Sequence, residues 1–133
     1  MQNWQSKQRP KWLRPTDAKE TTVAWAMAME NTDTPTALIF SRQNINNLPE
    51  GNDYEQARKG GYVVAGSDDN PDVVLVATGS EVSTLVSGAE LLRKDSVKVR
   101  IVSVPSEGLF RSQSTEYQQS VIPAGAKVFG MLQ

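Results

Sequence analysis

An unbroken apolar run followed by a helical pattern constrains the fold of this 133-residue chain more than any other feature. Residues 73–77 read Val-Val-Leu-Val-Ala, which is typical of a strand buried on both faces of a parallel sheet. Apolar residues then recur at helical spacing over residues 82–92, and Arg93 and Lys94 stand where a helix carboxyl end favours cations. A second strand is predicted over residues 97–104. Because such crossovers are right-handed and join parallel strands, this stretch predicts a βαβ unit.

The segment between the first strand and its helix carries a possible helix cap. Thr78 stands three residues before Glu81, which is the spacing of a capping box. We therefore interpret Glu81 as a capping residue rather than a general acid. A helix start can also bind an anion, but Glu81 would repel one here.

The first forty residues predict a second, smaller set of elements. We expect strands over residues 11–14 and 36–41, with a helix over residues 16–31 between them. Asp17 and Glu20 have the spacing of a capping box at the start of that helix. The nearly unbroken apolar character of the second strand suits a sheet that is covered on both faces.

The remaining segments complete the predicted architecture. Residues 43–61 are rich in polar residues and glycine, with no sustained period, and predict an interdomain linker. We expect an edge strand over residues 62–65, a helix over residues 114–121 and a strand over residues 127–132. No helix follows that strand to cover it, which suggests an incomplete sheet. The predicted fold class is α/β, with two truncated parallel-sheet α/β units joined by an irregular linker.

Composition excludes several classes of function. The net charge of -1 offers no field for holding nucleic acid or an anionic membrane surface. The chain contains neither cysteine nor histidine, so it lacks disulfides, thiolate nucleophiles and the usual transition-metal ligands. No apolar run approaches the roughly 20 residues of a membrane span, and no signal-peptide pattern opens the sequence. A cytoplasmic location is the default expectation.

One polar segment, Ser41-Arg42-Gln43-Asn44, follows the apolar run that ends at Phe40. Ligands of open α/β sheets bind at the carboxyl ends of strands, and a guanidinium there presents a planar fork of donors suited to phosphate or carboxylate. Arg42 is therefore the leading candidate for an anion-binding residue. The alternative is that Arg42 forms a surface ion pair with Glu50 or Asp53, which would contribute little.

Several separated segments, taken together and in this order, resemble the transketolase family. The resemblance runs from about residue 13 to residue 128. Its motifs are Arg14-Pro15-Thr16-Asp17 with Glu20, Ser41-Arg42-Gln43-Asn44, Arg58-Lys59-Gly60-Gly61-Tyr62-Val63, Ala77-Thr78-Gly79-Ser80-Glu81-Val82 and Val102-Ser103-Val104-Pro105-Ser106. Each motif alone is weak, and their collinear order is what makes the resemblance specific.

The resemblance implies a domain division. Residues 11–42 would be the end of the pyrimidine-binding domain, residues 43–61 the linker and residues 62–133 a truncated carboxyl-terminal domain. Residues 1–10 do not resemble the family. The arginine of the family's Ser-Arg-Gln-Asn segment contacts the phosphate of the sugar substrate, which assigns that role to Arg42.

The resemblance also implies the chemistry of a parent enzyme. Transketolases of the pentose phosphate pathway transfer a two-carbon ketol unit between sugar phosphates, using thiamine diphosphate and a divalent metal, magnesium or calcium, and they are typically homodimers. Their catalytic, cofactor-binding and metal-binding residues precede the Arg-Pro-Thr-Asp segment, so we expect none of them in this chain. The expected function is that of a transketolase fragment that retains one substrate-phosphate contact, binds sugar phosphate weakly and does not catalyse.

Two alternatives stay open. A different thiamine diphosphate enzyme, such as a deoxyxylulose phosphate synthase or a dehydrogenase E1 β subunit, would share the architecture without the same motifs. The chain could also be a non-catalytic interaction module or one half of a split thiamine diphosphate enzyme. Neither alternative involves nucleic acid or a membrane.

Overall fold

The computed structural model describes residues 10–48, 53–66 and 70–131. Most of the segment of residues 1–10, and Glu50, lie outside the described residues. None of the helices in the described ranges is long and apolar enough to cross a membrane. In chain order the elements are β1 (Lys11–Leu13), α1 (Ala18–Glu30), β2 (Thr36–Leu38), a 3₁₀ helix (Tyr54–Lys59), β3 (Tyr62–Ala65), β4 (Val73–Ala77), α2 (Glu81–Lys94), β5 (Val99–Ser103), α3 (Glu107–Arg111), α4 (Thr115–Val121) and β6 (Lys127–Met131).

The amino-terminal unit is a strand–helix–strand in which β1 and β2 pair in parallel, with Leu13 opposite Leu38. The predicted strand over residues 36–41 was too long, because the ladder ends at Leu38. The expectation that it is buried on both faces was also wrong. All three residues of β2 are only partly buried, and Phe40 beyond it is half exposed, because β1 is the one strand that pairs with β2 among the described residues.

The second sheet has the strand order β3-β5-β4-β6. The predicted βαβ unit is confirmed, since β4 and β5 are parallel and α2 connects them. Strand β6 pairs in parallel with the other side of β4. Strand β3 lies at an edge, as predicted, but pairs antiparallel with β5, so the sheet is mixed. The α/β fold class is confirmed.

Two apolar layers cover opposite faces of this sheet. Side chains alternate between the faces of a strand, so Ile101 and Val102 on β5 point to different layers. Ile101 packs in a cluster with Val82 and Ala89 of α2, and Val102 packs in a cluster with residues of α3 and α4. The connection that leaves β4 therefore crosses one face, and the connection that leaves β5 crosses the other.

The predicted linker is packed rather than extended. Its residues Leu48 and Ala57 are each 3% exposed and belong to the core cluster that includes α2. The 3₁₀ helix within it is followed by its cap Gly60, whose φ is 86°. A Cβ at Gly60 would lie 2.4 Å from the backbone nitrogen of Phe110, so both conformation and space require glycine.

The two predicted capping boxes differ from the structure. The Asp17 side chain caps α1 by accepting a hydrogen bond from the Glu20 backbone nitrogen at 2.9 Å, as predicted, but the Glu20 side chain bonds elsewhere. At α2 the prediction was wrong. Ser80, not Thr78, is the residue before the helix, and its side chain makes no capping hydrogen bond. Thr78 instead directly follows β4, before the turn at Gly79, where φ is 61°.

Candidate anion-binding site and buried carboxyl network

Arg42 lies four residues beyond the end of β2 and is exposed to solvent. The Ser41 hydroxyl accepts a hydrogen bond from the Gln43 backbone nitrogen at 3.1 Å, which fixes a local turn around Arg42. Among the ion pairs of the described ranges, none involves Arg42. Asp53, one of the two predicted partners, instead accepts from the Glu55 backbone nitrogen and caps the 3₁₀ helix.

A shallow groove of about 160 Å³ lies beside this turn and takes its walls from both units of the chain. The amino-terminal unit contributes Arg14 and the segment that ends at Ser41, and the carboxyl-terminal unit contributes Thr78 to Glu81. Arg42 adjoins the lining residue Ser41 but is not itself part of the lining. The groove therefore combines a cation, hydroxyl groups and the Glu81 carboxylate, and the exposed Arg42 follows one of its lining residues in the chain.

A buried carboxyl joins the two units beneath this surface. The Glu20 side chain is 1% exposed and accepts a hydrogen bond from the Tyr62 hydroxyl at 3.0 Å. The Ser103 hydroxyl donates to the same carboxyl at 3.1 Å and lies 3.4 Å from the Thr16 hydroxyl. Glu20 and Thr16 belong to the amino-terminal unit, whereas Tyr62 and Ser103 lie on β3 and β5 of the second sheet.

Burial dominates the ionisation of this carboxyl. The pKa of Glu20 is raised to about 7, mainly by loss of hydration and also by the nearby Asp17 charge, while the hydrogen bonds from Tyr62 and Ser103 act in the opposite direction. Burial also raises the pKa of the Tyr62 hydroxyl, so this group stays a donor. The ion pairs in the described part of the chain do not include Glu20.

The spacing of Glu20 from Asp17 suggests a helix cap, and this network was therefore not predicted from the sequence. A signal was present in the helical pattern. Glu20 stands three residues before Val23 and seven before Met27, so it shares their apolar face. A carboxylate on that face predicts a buried group that needs hydrogen-bond donors.

The described residues hold no group of three or more histidine, cysteine, aspartate or glutamate side chains that could bind a metal ion. Asp17 illustrates how the buried acids are used instead. Its second carboxylate oxygen accepts hydrogen bonds from the Leu48 backbone nitrogen at 2.9 Å and the Tyr54 hydroxyl at 3.0 Å. These bonds tie the linker to α1.

Comparison with known proteins identifies the relatives of this fold. Residues 60–131 match the family model of the transketolase-like TK C-terminal domain. A transketolase of Staphylococcus aureus is 46% identical over 114 residues, which cover 84% of this chain and 17% of that protein. The motifs that carried the resemblance are therefore part of an extended similarity.

Solved structures give the same result. A transketolase from Leishmania mexicana matches with a TM-score of 0.85 and 40% identity, over 92% of this chain and 18% of that chain. A transketolase from Pichia stipitis in complex with sedoheptulose 7-phosphate matches with a TM-score of 0.84 and 38% identity, over 97% of this chain and 19% of that chain. The chain thus spans less than a fifth of the length of these relatives, and it belongs to the transketolase family.

Proposed function

We propose that this chain supplies the substrate-phosphate contact of a transketolase, with Arg42 binding the phosphate of a sugar phosphate. The observation that carries this proposal is the exposed Arg42, which has no ion pair within the described ranges and directly follows Ser41, a lining residue of a groove built from both units. The resemblance of the Ser41-Arg42-Gln43-Asn44 segment to the family supports it.

The chemistry of arginine suits this role. A guanidinium is permanently charged and can donate two parallel hydrogen bonds to one phosphate. A single contact of this kind contributes about 1.5–3 kcal/mol, so we expect millimolar or weaker binding by the chain alone. Because the arginine would bind only the phosphate end, the carbonyl end of the sugar stays free to reach a reacting group elsewhere.

The cofactors of the proposed parent enzyme do not fit the residues present here. Thiamine diphosphate and a divalent metal, magnesium or calcium, would supply the bond-breaking chemistry of ketol transfer. The described part of the chain offers no metal-binding cluster, and the whole sequence has no histidine. We therefore propose that the chain by itself binds neither group and transfers no ketol unit.

Binding can be tested by ¹H–¹⁵N NMR titration of the full chain with sedoheptulose 7-phosphate, and with unphosphorylated sedoheptulose as a control ligand. We expect salt-sensitive shifts around residues 41–44 with the phosphorylated sugar alone. Arg42→Ala should abolish them, whereas Arg93→Ala, at an exposed arginine near the end of α2, should not. Equal shifts in Arg42→Ala and the unmodified chain would refute the role of Arg42.

Activity provides a second test. The chain, purified from a host without its own transketolase, should show no ketol transfer when thiamine diphosphate and magnesium are supplied. Measured turnover under these conditions would contradict the proposal. The split-enzyme alternative predicts a different result, namely activity that appears only after a separate polypeptide with the missing domains is added.

A further inference from the structure

A second and larger cavity, of about 380 Å³, opens at the carboxyl ends of β4 and β5. Thr78 follows β4 in the chain and Ser106 lies three residues after β5, so both line the cavity from the second sheet. Lys11, Trp12 and Arg14 line it from the amino-terminal unit. Residues 41–44 are not part of this lining.

The topology of the sheet marks this place as a crevice. The chain leaves β4 toward the face covered by α2, and it leaves the neighbouring parallel strand β5 toward the face covered by α3 and α4. Two adjacent strands whose connections diverge in this way leave a crevice outside their carboxyl ends. That is where open α/β sheets bind ligands.

Two mostly buried residues place hydroxyl groups along the cavity. Thr78 is 7% exposed and Ser106 is 5% exposed, and neither side chain forms a hydrogen bond with any described residue. The hydroxyls are not among the buried atoms that lack a partner, so they are open to the cavity, where each can donate a hydrogen bond to a ligand. The Glu107 carboxylate at the rim accepts a bond from Arg111 at 2.5 Å, which reduces its repulsion of an anion.

The rest of the lining defines the ligand. Lys11 and Arg14 carry positive charges, and with the two hydroxyls they suit a phosphate group. The Trp12 ring is 56% exposed, and Val104 and Leu109 add apolar surface to the same cavity. We propose that this cavity binds a phosphate monoester that carries a planar ring, with the phosphate between Lys11 and the hydroxyls and the ring against Trp12.

The proposed cavity site is distinct from the proposed phosphate contact at Arg42. Arg14 and Thr78 line both the cavity and the groove beside Ser41, so they cannot distinguish the two sites. Lys11 and Ser106 line the cavity and not the groove, and their variants are therefore the informative ones. Lys98 is exposed and precedes β5 at its opposite end, which makes it a matched control for the loss of one lysine charge.

The test is an NMR titration of the full chain with phenyl phosphate, compared with phenol and with inorganic phosphate. We expect phenyl phosphate to shift the amide signals of Thr78 and residues 104–108 and to bind more tightly than either control ligand. Lys11→Gln and Ser106→Ala should each weaken binding by about fivefold to tenfold, the loss of roughly one charged or polar contact. Lys98→Gln should leave the affinity unchanged, and Arg42→Ala should leave the shifts of Thr78 and residues 104–108 unchanged.

Each contrary result would overturn the proposal. Equal binding of phenol would mean that the cavity is merely apolar, and loss of binding in Arg42→Ala would place the anion at the other site. If both Lys11→Gln and Ser106→Ala bind phenyl phosphate as tightly as the unmodified chain, the phosphate does not lie between Lys11 and the hydroxyls. Both variants should fold, because Lys11 is only partly buried and the Ser106 hydroxyl makes no bond within the described structure.

Discussion

Glu20→Gln should remove most of the pH dependence of stability between pH 5 and pH 7. The pKa of Glu20 is about 7 in the folded chain, against an ordinary value of 4.5 in the unfolded chain. Between these values the folded state holds a proton that the unfolded state has released. The free energy of unfolding therefore falls as the pH rises through this window, and it levels off above pH 7.

The difference between the pKa of Glu20 in the folded chain and in the unfolded chain sets the size of the change in the free energy of unfolding. A rise of this size corresponds to about 3 kcal/mol of stability lost between pH 4.5 and pH 7, because each unit is worth about 1.4 kcal/mol. This is a large fraction of the stability of a small domain. Glutamine has nearly the same shape but no charge, and its oxygen can still accept from Tyr62. The variant should match the unmodified chain near pH 5 and exceed its stability near pH 8.

Urea unfolding at a series of pH values from 4.5 to 8 measures this effect. The chain has no histidine, so no other side chain ordinarily titrates in the upper part of this window. The amino-terminal amine is present in every variant, so any contribution from it cancels in the comparison. Glu90→Gln, at an exposed glutamate of α2, should keep the slope of the unmodified chain.

Two results would refute the reasoning. A stability that rises with pH across the window would mean that the folded state favours the charged carboxylate. An unchanged slope in Glu20→Gln would assign the pH dependence to another group. Asp17, Tyr62 and Ser103 face Glu20 from α1, β3 and β5, so the first result would point to stronger hydrogen bonding of the anion than burial can offset.

Two further substitutions test the packing directly by urea unfolding. Gly60→Ala should destabilise the chain by more than about 1 kcal/mol, because φ is 86° and the new Cβ meets backbone atoms. Gly88→Ala is the control, and it should stabilise the chain by about 0.5–1 kcal/mol because Gly88 lies in a helix with open space around it. Similar effects at both glycines would contradict this prediction. Asp17→Ala should cost at least about 2 kcal/mol, because it removes the cap of α1 and leaves the Leu48 backbone nitrogen unpaired, while Asp33→Ala in an exposed turn should cost little.

Local patterns predicted the carboxyl-terminal half of the fold well. Helix α2 has a sustained apolar period and basic residues in its last turn, and both signals lie within the helix itself. The antiparallel pairing of β3 with β5 was not predictable, because strand direction depends on contacts between Tyr62 and Ser103, which are distant in sequence. The length of β2 depended on the number of its neighbours, which the composition of Thr36–Leu38 does not encode.

Some residues of the candidate sites could be predicted from the sequence and others could not. Arg42 could be named from sequence because a polar segment follows an apolar run, although its role in phosphate binding stays a prediction. Trp25 of α1 is 52% exposed and stacks on Phe40 with ring centroids 6.4 Å apart, a contact between separate elements that no local pattern encodes. The hydroxyls of Thr78 and Ser106 gave no signal, because only the strand order brings them to one cavity.

One junction between the two units carries both the buried carboxyl and the candidate binding surfaces. The Arg14 backbone nitrogen donates to the Pro105 carbonyl at 2.8 Å beside the larger cavity, and Ser103, two residues before Pro105, donates to Glu20. Ionisation of Glu20 therefore puts a desolvated charge at this junction. Since Arg14 and Thr78 line the groove and the cavity alike, both candidate sites depend on the same junction.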